Sequence, residues 1–235
     1  MRVFESQGSR VRQSFFASTL AITSLIGAAS CGESEKVNTS SSKSASTVTF
    51  QSGVNGYTSS DDGWIGSQNG GNGANDFTSN QGNVFVSSTG GYETETLIRF
   101  NNISIPSGTH VTSATLQLTF EDYYGGNILQ GYYVKNAWSP PPAGIGWTNR
   151  DSTNLWNTAG AKGIGTDLVS GVSWQDTSWT GTGNVTKTYT LDTATVQGWL
   201  NNPSSNQGII LVNNQVSDKL LRVFTSEDTT AANHP

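Results

Sequence analysis

Residues that could carry nucleophilic or metal chemistry are few in this chain of 235 residues, which contains two histidines and one cysteine. Nucleophilic catalysis needs a base beside the nucleophile, and neither His110 nor His234 stands in a motif of that kind. Histidine and cysteine are too scarce for a zinc site. The glycines of residues 66–75 lead into neither a lysine nor a helical pattern, so they form no phosphate loop. The sequence therefore predicts a protein that is not an enzyme.

Acidic residues could supply the paired carboxylates of a glycosidase or the oxygen ligands of calcium. Spacing alone pairs none of them, so a hydrolase or lyase has no specific support. Asp61 and Asp62 stand beside an Asn/Gly-rich stretch and are candidate metal ligands. The alternative is a solvated turn, in which Asp and Gly provide backbone freedom. We expect no required cofactor, and a structural calcium remains an open alternative.

Aromatic residues in polar, glycine-containing segments are the candidate ligand contacts. Sugar rings present apolar C–H faces, and the sites that bind them expose flat aromatic side chains flanked by hydrogen-bonding groups. Tyr123 and Tyr124 lie in EDYYGGN, and Trp174 and Trp179 lie in SWQDTSWTG. These four residues are the candidate glycan-binding residues.

Short strands must position these side chains. In residues 112–120, TSATLQLTF, apolar and polar residues alternate with the period of a half-buried strand. Further strand patterns separated by Gly, Asn, Pro and Ser occur at residues 83–88, 94–100, 131–137, 187–191, 208–212 and 219–224. With hardly any helix between them, these segments predict an all-β fold, an antiparallel β-sandwich.

One short helix interrupts the strands near the C-terminal part. Asp192 or Thr193 is a plausible N-cap, and Val196, Trp199 and Leu200 follow at helical spacing. The sequence NNP then ends the helix, and GIILV predicts a strand covered on both faces. We expect Trp199 to close one end of the sandwich.

The N-terminal region predicts export. Three arginines precede an uncharged, largely apolar run at residues 14–30 that is short for a membrane span. Cys31 follows Ala-Ala-Ser, which resembles the bacterial lipobox, in which the cysteine is lipidated. We expect a lipoprotein signal peptide at residues 1–30, a flexible Ser-rich tether at 31–46 and the folded domain at 47–235. The alternative is an ordinary signal peptide cleaved near the same point.

The charge balance argues against some partners. The formal net charge is −5, and loss of the basic N-terminus would make it about −7. Such a surface disfavours nucleic acid. Tight binding of a polyanionic glycan is also disfavoured unless the sparse cations cluster locally.

Residues 48–235 resemble the DNRLRE-type domain, a family grouped with carbohydrate-binding modules and similar to disaggregatase-related repeats. The resemblance rests on the order of several segments: DGWI, LIRFNNISIPSGTHVTSATLQL, WSPPPAGIGWTNR, LDTATVQGWLNNPSSNQGIILV and FTSEDTTAANHP. It implies a jelly-roll sandwich that binds polysaccharide beside catalytic or adhesive domains. It also implies that Trp138, Trp147, Trp156 and Trp199 belong to the framework and lie in the core.

Two departures from the family matter. The family continues into a last strand where this sequence ends at Pro235, so the resemblance implies a domain truncated before that strand. Asn101 and Asn102 replace an acidic residue, which weakens any ion site taken from the family.

The sequence thus predicts a non-catalytic polysaccharide-binding module on an exported bacterial lipoprotein, at the cell surface or on the periplasmic side of a membrane. Without the anchor, the protein would be secreted into the medium. The alternatives are a structural or adhesive spacer module, or an accessory domain of a polysaccharide-degrading enzyme whose catalytic domain lies beyond Pro235.

Overall fold

The structure is a computed structural model that describes residues 20–26, 45–67, 75–76, 81–86, 92–122, 124–214 and 219–235. Its strands are β1 (Leu20–Ile26), β2 (Ala45–Phe50), β3 (Ser60–Gly66), β4 (Asn75–Asp76), β5 (Gln81–Val86), β6 (Glu93–Phe100), β7 (Thr109–Asp122), β8 (Leu129–Tyr133), β9 (Trp174–Asp176), β10 (Gly183–Thr190), β11 (Ile209–Asn213) and β12 (Lys219–Phe224). The α-helix α1 spans Thr193–Asn201, and single 3₁₀ turns occur at Ala159–Ala161, Pro203–Ser205 and Ala231–Asn233.

The strands form two antiparallel layers. In the front layer, β7 pairs with β10 on one side and with β1 and then β12 on the other, and β1 also pairs with β2. In the back layer the order is β3, β6, β11, β8 and β9, with β4 beside β3. Strand β5 pairs with both β12 and β6, and so joins the layers. The predicted antiparallel β-sandwich with one short helix is confirmed.

Strand β7 shows why the layers pack. Ala114, Leu116, Leu118 and Phe120 are almost fully buried between the layers, as the alternating pattern predicts. The residues between them face outward and pair across to β10. The strand extends beyond the predicted segment at both ends. Burial of one face of this long strand anchors the front layer.

A second core lies on the other face of the back layer. Residues 134–173 run over this face and bury three tryptophans, Trp138, Trp147 and Trp156, against Leu97 and Ile210. Strands β6 and β11 are therefore covered on both faces, which explains their apolar sequences. The expectation that these tryptophans lie in the core is confirmed.

Helix α1 closes one end of the sandwich. The side chain of Asp192 accepts a hydrogen bond from the backbone N–H of Thr195 (2.7 Å), which makes it the N-cap. Val196 and Trp199 are buried, and the Trp199 ring meets Tyr133 edge-on at a centroid distance of 5.6 Å. The predicted helix, its N-cap and the packing of Trp199 are all confirmed.

Strand β1 lies within the segment expected to be a signal peptide. It pairs with β2 along Leu20–Leu25 and with β7 along Leu20–Ile26. Strand β2 begins at Ala45, slightly before the expected start of the domain at residue 47. Cleavage after residue 30 would remove β1 from the sheet. The signal peptide stays a prediction, and Cys31 and most of the expected tether lie outside the described residues.

Candidate functional site

The buried carboxylate of Asp122 organises the loops at one end of the front layer. Its Oδ1 accepts hydrogen bonds from the backbone N–H of Gly125 (3.1 Å) and from the amide of Asn127 (3.2 Å). Its Oδ2 accepts from the backbone N–H of Gly181 (2.7 Å). One side chain therefore ties residues 124–128, which follow β7, to residues 177–182, which precede β10. We call these two segments the Asp122 loops.

Close backbone contact makes the Asp122 loops rigid. Gly125 and Gly181 have positive φ angles of 60° and 73°. A Cβ atom on Gly125 would lie 2.9 Å from the carbonyl carbon of Thr180, and one on Gly181 would lie 2.9 Å from the backbone nitrogen of Gly125. Only glycine fits at both positions, because any Cβ atom would collide with backbone atoms and the positive φ angle would strain any other residue.

Tyr124 is presented to solvent by this rigid loop. Its side chain is 59% exposed, and it is the only aromatic among the exposed large apolar residues in the described part of the chain. Tyr123 lies outside the described residues. Of the three candidate glycan-binding residues that the structure describes, Tyr124 is therefore the most exposed.

Trp174 and Trp179 pack instead against the sandwich core. Trp174 is half-buried, and its ring stacks on Tyr189 with centroids 3.7 Å apart and planes 6° apart. Its other neighbour is Gly131, where a Cβ would lie 2.2 Å from the indole. Trp179 is only 6% exposed and meets Phe120 edge-on at 5.0 Å. The expectation of an exposed ring is wrong for Trp179, because the apolar ring packs into the core between the two layers.

The outer face of the front layer carries paired polar side chains beside the Asp122 loops. Thr119 and Thr186 share a hydrogen bond of 3.1 Å across β7 and β10, and Gln117 donates to Thr188 at 3.2 Å. We call these four residues the polar ladder. Its rungs are about 7 Å apart, because residues on one face of a strand recur every second position. The polar ladder leads along β7 towards the loop that carries Tyr124.

Asp61 and Asp62 do not form a common metal site. They are neighbours within β3 rather than in a turn, so their side chains point to opposite faces. Asp61 pairs with Arg99 at 2.5 Å, whereas Asp62 accepts hydrogen bonds from the backbone and side chain of Ser226. Burial raises the pKa of Asp62 to about 7. The solvated turn is therefore wrong for this pair. The described residues contain no group of three or more potential metal-ligating side chains, and a structural calcium stays a prediction.

A buried ion pair beneath the second core is a feature that sequence reasoning did not single out. Glu95 is fully buried, and its Oε1 lies 2.7 Å from Nζ of Lys162, which also bonds to Glu93. Burial raises the pKa of Glu95 to about 8 although the ammonium of Lys162 opposes the shift. The ammonium also lies 5.2 Å from the centroid of the Trp147 ring. This pair holds residues 134–173 onto the back layer, and Glu95 has no exposed surface with which to meet a substrate.

Comparison with known proteins identifies no relative: no family model matches the chain, and no curated protein matches it. Among the described residues, no helix has both the length and the apolar character needed to cross a membrane.

Proposed function

We propose that this protein is a non-catalytic polysaccharide-binding module whose contact surface is Tyr124 with the adjoining polar ladder. The observation that carries the proposal is the exposed Tyr124 ring on a loop fixed by the buried Asp122 carboxylate. A ring held in place before binding loses little conformational freedom when a sugar stacks on it.

The polar ladder supports the same ligand class. The hydroxyls of Thr186 and Thr188 and the amide of Gln117 can exchange hydrogen bonds with the hydroxyls of a glycan lying along β7 and β10, while Tyr124 covers an apolar sugar face. Thr119 is itself buried and positions Thr186 through their shared hydrogen bond. The proposal requires no cofactor. Glu121 and Arg222 beside the ladder balance each other in charge, so this surface favours a neutral stretch of the glycan.

Affinity electrophoresis tests the proposal directly. The protein is run through gels containing xylan, β-glucan, pectin, alginate or a soluble chitin derivative. We expect retardation in at least one gel, and about fivefold weaker retention for Tyr124→Ala, because one lost stacking contact is worth on the order of 1 kcal/mol. Tyr124→Phe is the matched control, since it keeps the ring and removes only the hydroxyl.

Two results would contradict the proposal in different ways. Retardation that survives Tyr124→Ala would place the binding surface elsewhere. A folded protein that is retarded in no gel would favour the alternative function, a structural or adhesive spacer module. Hydrolysis of a gel polymer by the protein would instead favour an enzyme.

We also propose that the module is exported and held on a membrane through lipidated Cys31, so that it brings the glycan to the cell surface or to a fused or associated polysaccharide-degrading enzyme. Incorporation of labelled palmitate into the protein, but not into Cys31→Ala, tests the anchor. Equal labelling of both proteins would contradict it.

A further inference from the structure

A groove beside helix α1 lies apart from the proposed surface. It has a volume of about 380 Å³ and lies between α1, the 3₁₀ turn Pro203–Ser205 and the chain segments around Tyr133 and Val169. This volume is within the range of pockets that hold small ligands.

Gly198 is the residue of α1 that keeps this groove open. It lines the groove, and a Cβ atom built on it would meet nothing within 4 Å. Its backbone is helical, so neither a positive φ nor a close neighbour requires glycine there. Glycine inside a helix costs about 0.5–1 kcal/mol relative to alanine. The helix thus loses stability at a position where a side chain would enter the groove.

The groove combines an apolar wall with a polar rim. Val169 is exposed, and it lines the groove together with Tyr133 and Trp199. The rim carries the hydroxyls of Thr195, Ser204 and Ser205. An apolar wall facing hydroxyls matches the C–H face and the hydroxyl edge of a sugar ring.

The hydrogen bonds of the rim define what it can offer a ligand. Thr195 Oγ1 donates to Asp192 Oδ2 at 2.7 Å, and Ser204 and Ser205 each donate at 2.7 Å to Asn202. Each hydroxyl already donates its hydrogen in one of these bonds, so it can act only as an acceptor towards a ligand in the groove. A ligand must bring its own O–H donors to bind this rim.

The lining of the groove also contains one positively charged side chain, that of Lys135. Lys135 is exposed and is the single charged side chain among the described residues that line the groove. One of its ammonium hydrogens bonds to the carbonyl of Gly165 at 2.9 Å, which holds the group in place and leaves two donors. The carboxylate of Asp192 is engaged as the cap of α1.

We propose that this groove binds a sugar residue that carries a carboxylate, such as a uronic acid at a chain end. The sugar hydroxyls donate to the rim, the ring lies against Val169, and Lys135 pairs with the carboxylate. The inference takes its ligand class from the proposed function, but it concerns a separate surface.

Isothermal titration with short probes tests the groove. The probes are uronate trisaccharides of the galacturonate, mannuronate and glucuronate types, together with their neutral methyl esters. We expect at least one acidic probe to bind, with its affinity reduced about tenfold or more by Gly198→Leu, which fills the groove, and by Lys135→Met. The methyl esters should bind correspondingly more weakly than the acids. Ala194→Leu, on an exposed position of the same helix, is the matched control and should leave affinity unchanged.

Gly198→Leu should fold as well as the wild type or better, since it improves helix propensity and its Cβ meets nothing within 4 Å. A stable Gly198→Leu protein that binds the acidic probe normally would overturn the proposal, as would the failure of every acidic probe to bind. Equal affinity for an acid and its methyl ester would overturn the role of Lys135. Tyr124→Ala should not change the affinity of these short probes. Its effect on polysaccharide retention therefore reports separately on the proposed function.

Discussion

Buried carboxylates have three different roles at the scale of single residues. Asp122 accepts three hydrogen bonds and positions the loops that carry the candidate site. Asp62 joins the chain after β12 to the edge of the back layer. Glu95 depends on a single ammonium, and its Oε1 and Oε2 accept no further hydrogen bond among the described residues. In the described part of the chain, a buried carboxyl group therefore has several hydrogen-bond donors around it at Asp122 but only the ammonium of Lys162 at Glu95.

Removal of the Asp122 carboxylate should release both of the loops it holds. We expect Asp122→Ala to lower the free energy of unfolding by about 2–3 kcal/mol, because two backbone N–H groups lose a charged acceptor in a buried site. Retention on the polysaccharide gel should weaken although Tyr124 is intact. Urea denaturation with gel retardation measures both effects, and Asp122→Asn should fall between the two proteins. Unchanged stability and retention in Asp122→Ala would contradict the positioning role.

Glu95 should make the fold less stable as the pH rises. Its pKa is about 8 in the folded protein against an ordinary value of 4.5, so the folded state holds a proton that the unfolded state has lost between these values. The free energy of unfolding contributed by Glu95 therefore falls as the pH rises from about 5 to 8, by roughly 1 kcal/mol per pH unit at the steepest.

Comparison with Glu95→Gln isolates this contribution, because Asp62 titrates in the same direction in both proteins. Urea denaturation of both proteins between pH 5 and pH 8 should show the wild type losing stability relative to the variant. A constant difference across this range would show that Glu95 keeps the same charge in the folded and unfolded states.

At the scale of elements, the passage from helix α1 to strand β11 depends on one glycine. Gly208 has a φ of 74°, and a Cβ on it would lie 2.2 Å from the carbonyl oxygen of Ile98. The chain can therefore turn from the 3₁₀ segment into the sheet and pair with β6 from Ile209 onward. Helix α1 and strand β11 are separated by only a few residues because the turn at Gly208 brings the backbone directly against strand β6.

Gly208→Ala should be much more harmful than Gly108→Ala. Both positions have a similar positive φ, which costs an alanine about 1 kcal/mol, but a Cβ on Gly108 would meet nothing within 4 Å. We expect Gly208→Ala to lose at least about 2 kcal/mol more than Gly108→Ala, because the added atom collides with backbone. Thermal or urea unfolding of the two variants measures the difference. Equal losses would show that strain in φ accounts for the whole effect.

At the scale of the whole molecule, the back layer lies between two cores. One core fills the space between the layers, and the other lies beneath residues 134–173 and contains the three buried tryptophans of that segment. Among the described residues, the front layer has no such second covering on its outer face, which carries the polar ladder. Within this layer, β1 pairs with both β2 and β7 and lies between them. The surface around Tyr124 lies outside the second core, whereas the groove beside α1 borders it through Val134.

Removal of β1, which the proposed cleavage before Cys31 would also cause, should weaken the front layer. A chain lacking residues 1–44 would leave one edge of β7 unpaired along Thr109–Leu116 and would detach β2 from its only pairing partner among the described strands. We expect lower stability in urea, faster amide exchange along this edge and self-association through it. A chain lacking only residues 1–18 keeps β1 and is the matched control. Equal stability of the two shortened chains would show that β1 contributes nothing to the fold.

Elements whose signals are local could be predicted from the sequence. The alternation in β7 and the helical spacing of Val196 and Trp199 follow from side-chain period, and the cap at Asp192 follows from the need of a helix start for an acceptor. The strand and helix predictions are confirmed because the apolar residues of these two patterns are buried in the folded protein.

In contrast, tertiary packing fixes which polar and aromatic groups meet and which remain exposed. Tyr124 and Trp179 stand in similar glycine-containing segments, yet one is open to solvent and the other packs on Phe120. The contacts of Glu95 with Lys162 and of Asp122 with Gly181 join positions 67 and 59 residues apart, respectively. No local pattern encodes such pairs, because burial and the distance between two side chains depend on how distant strands pack.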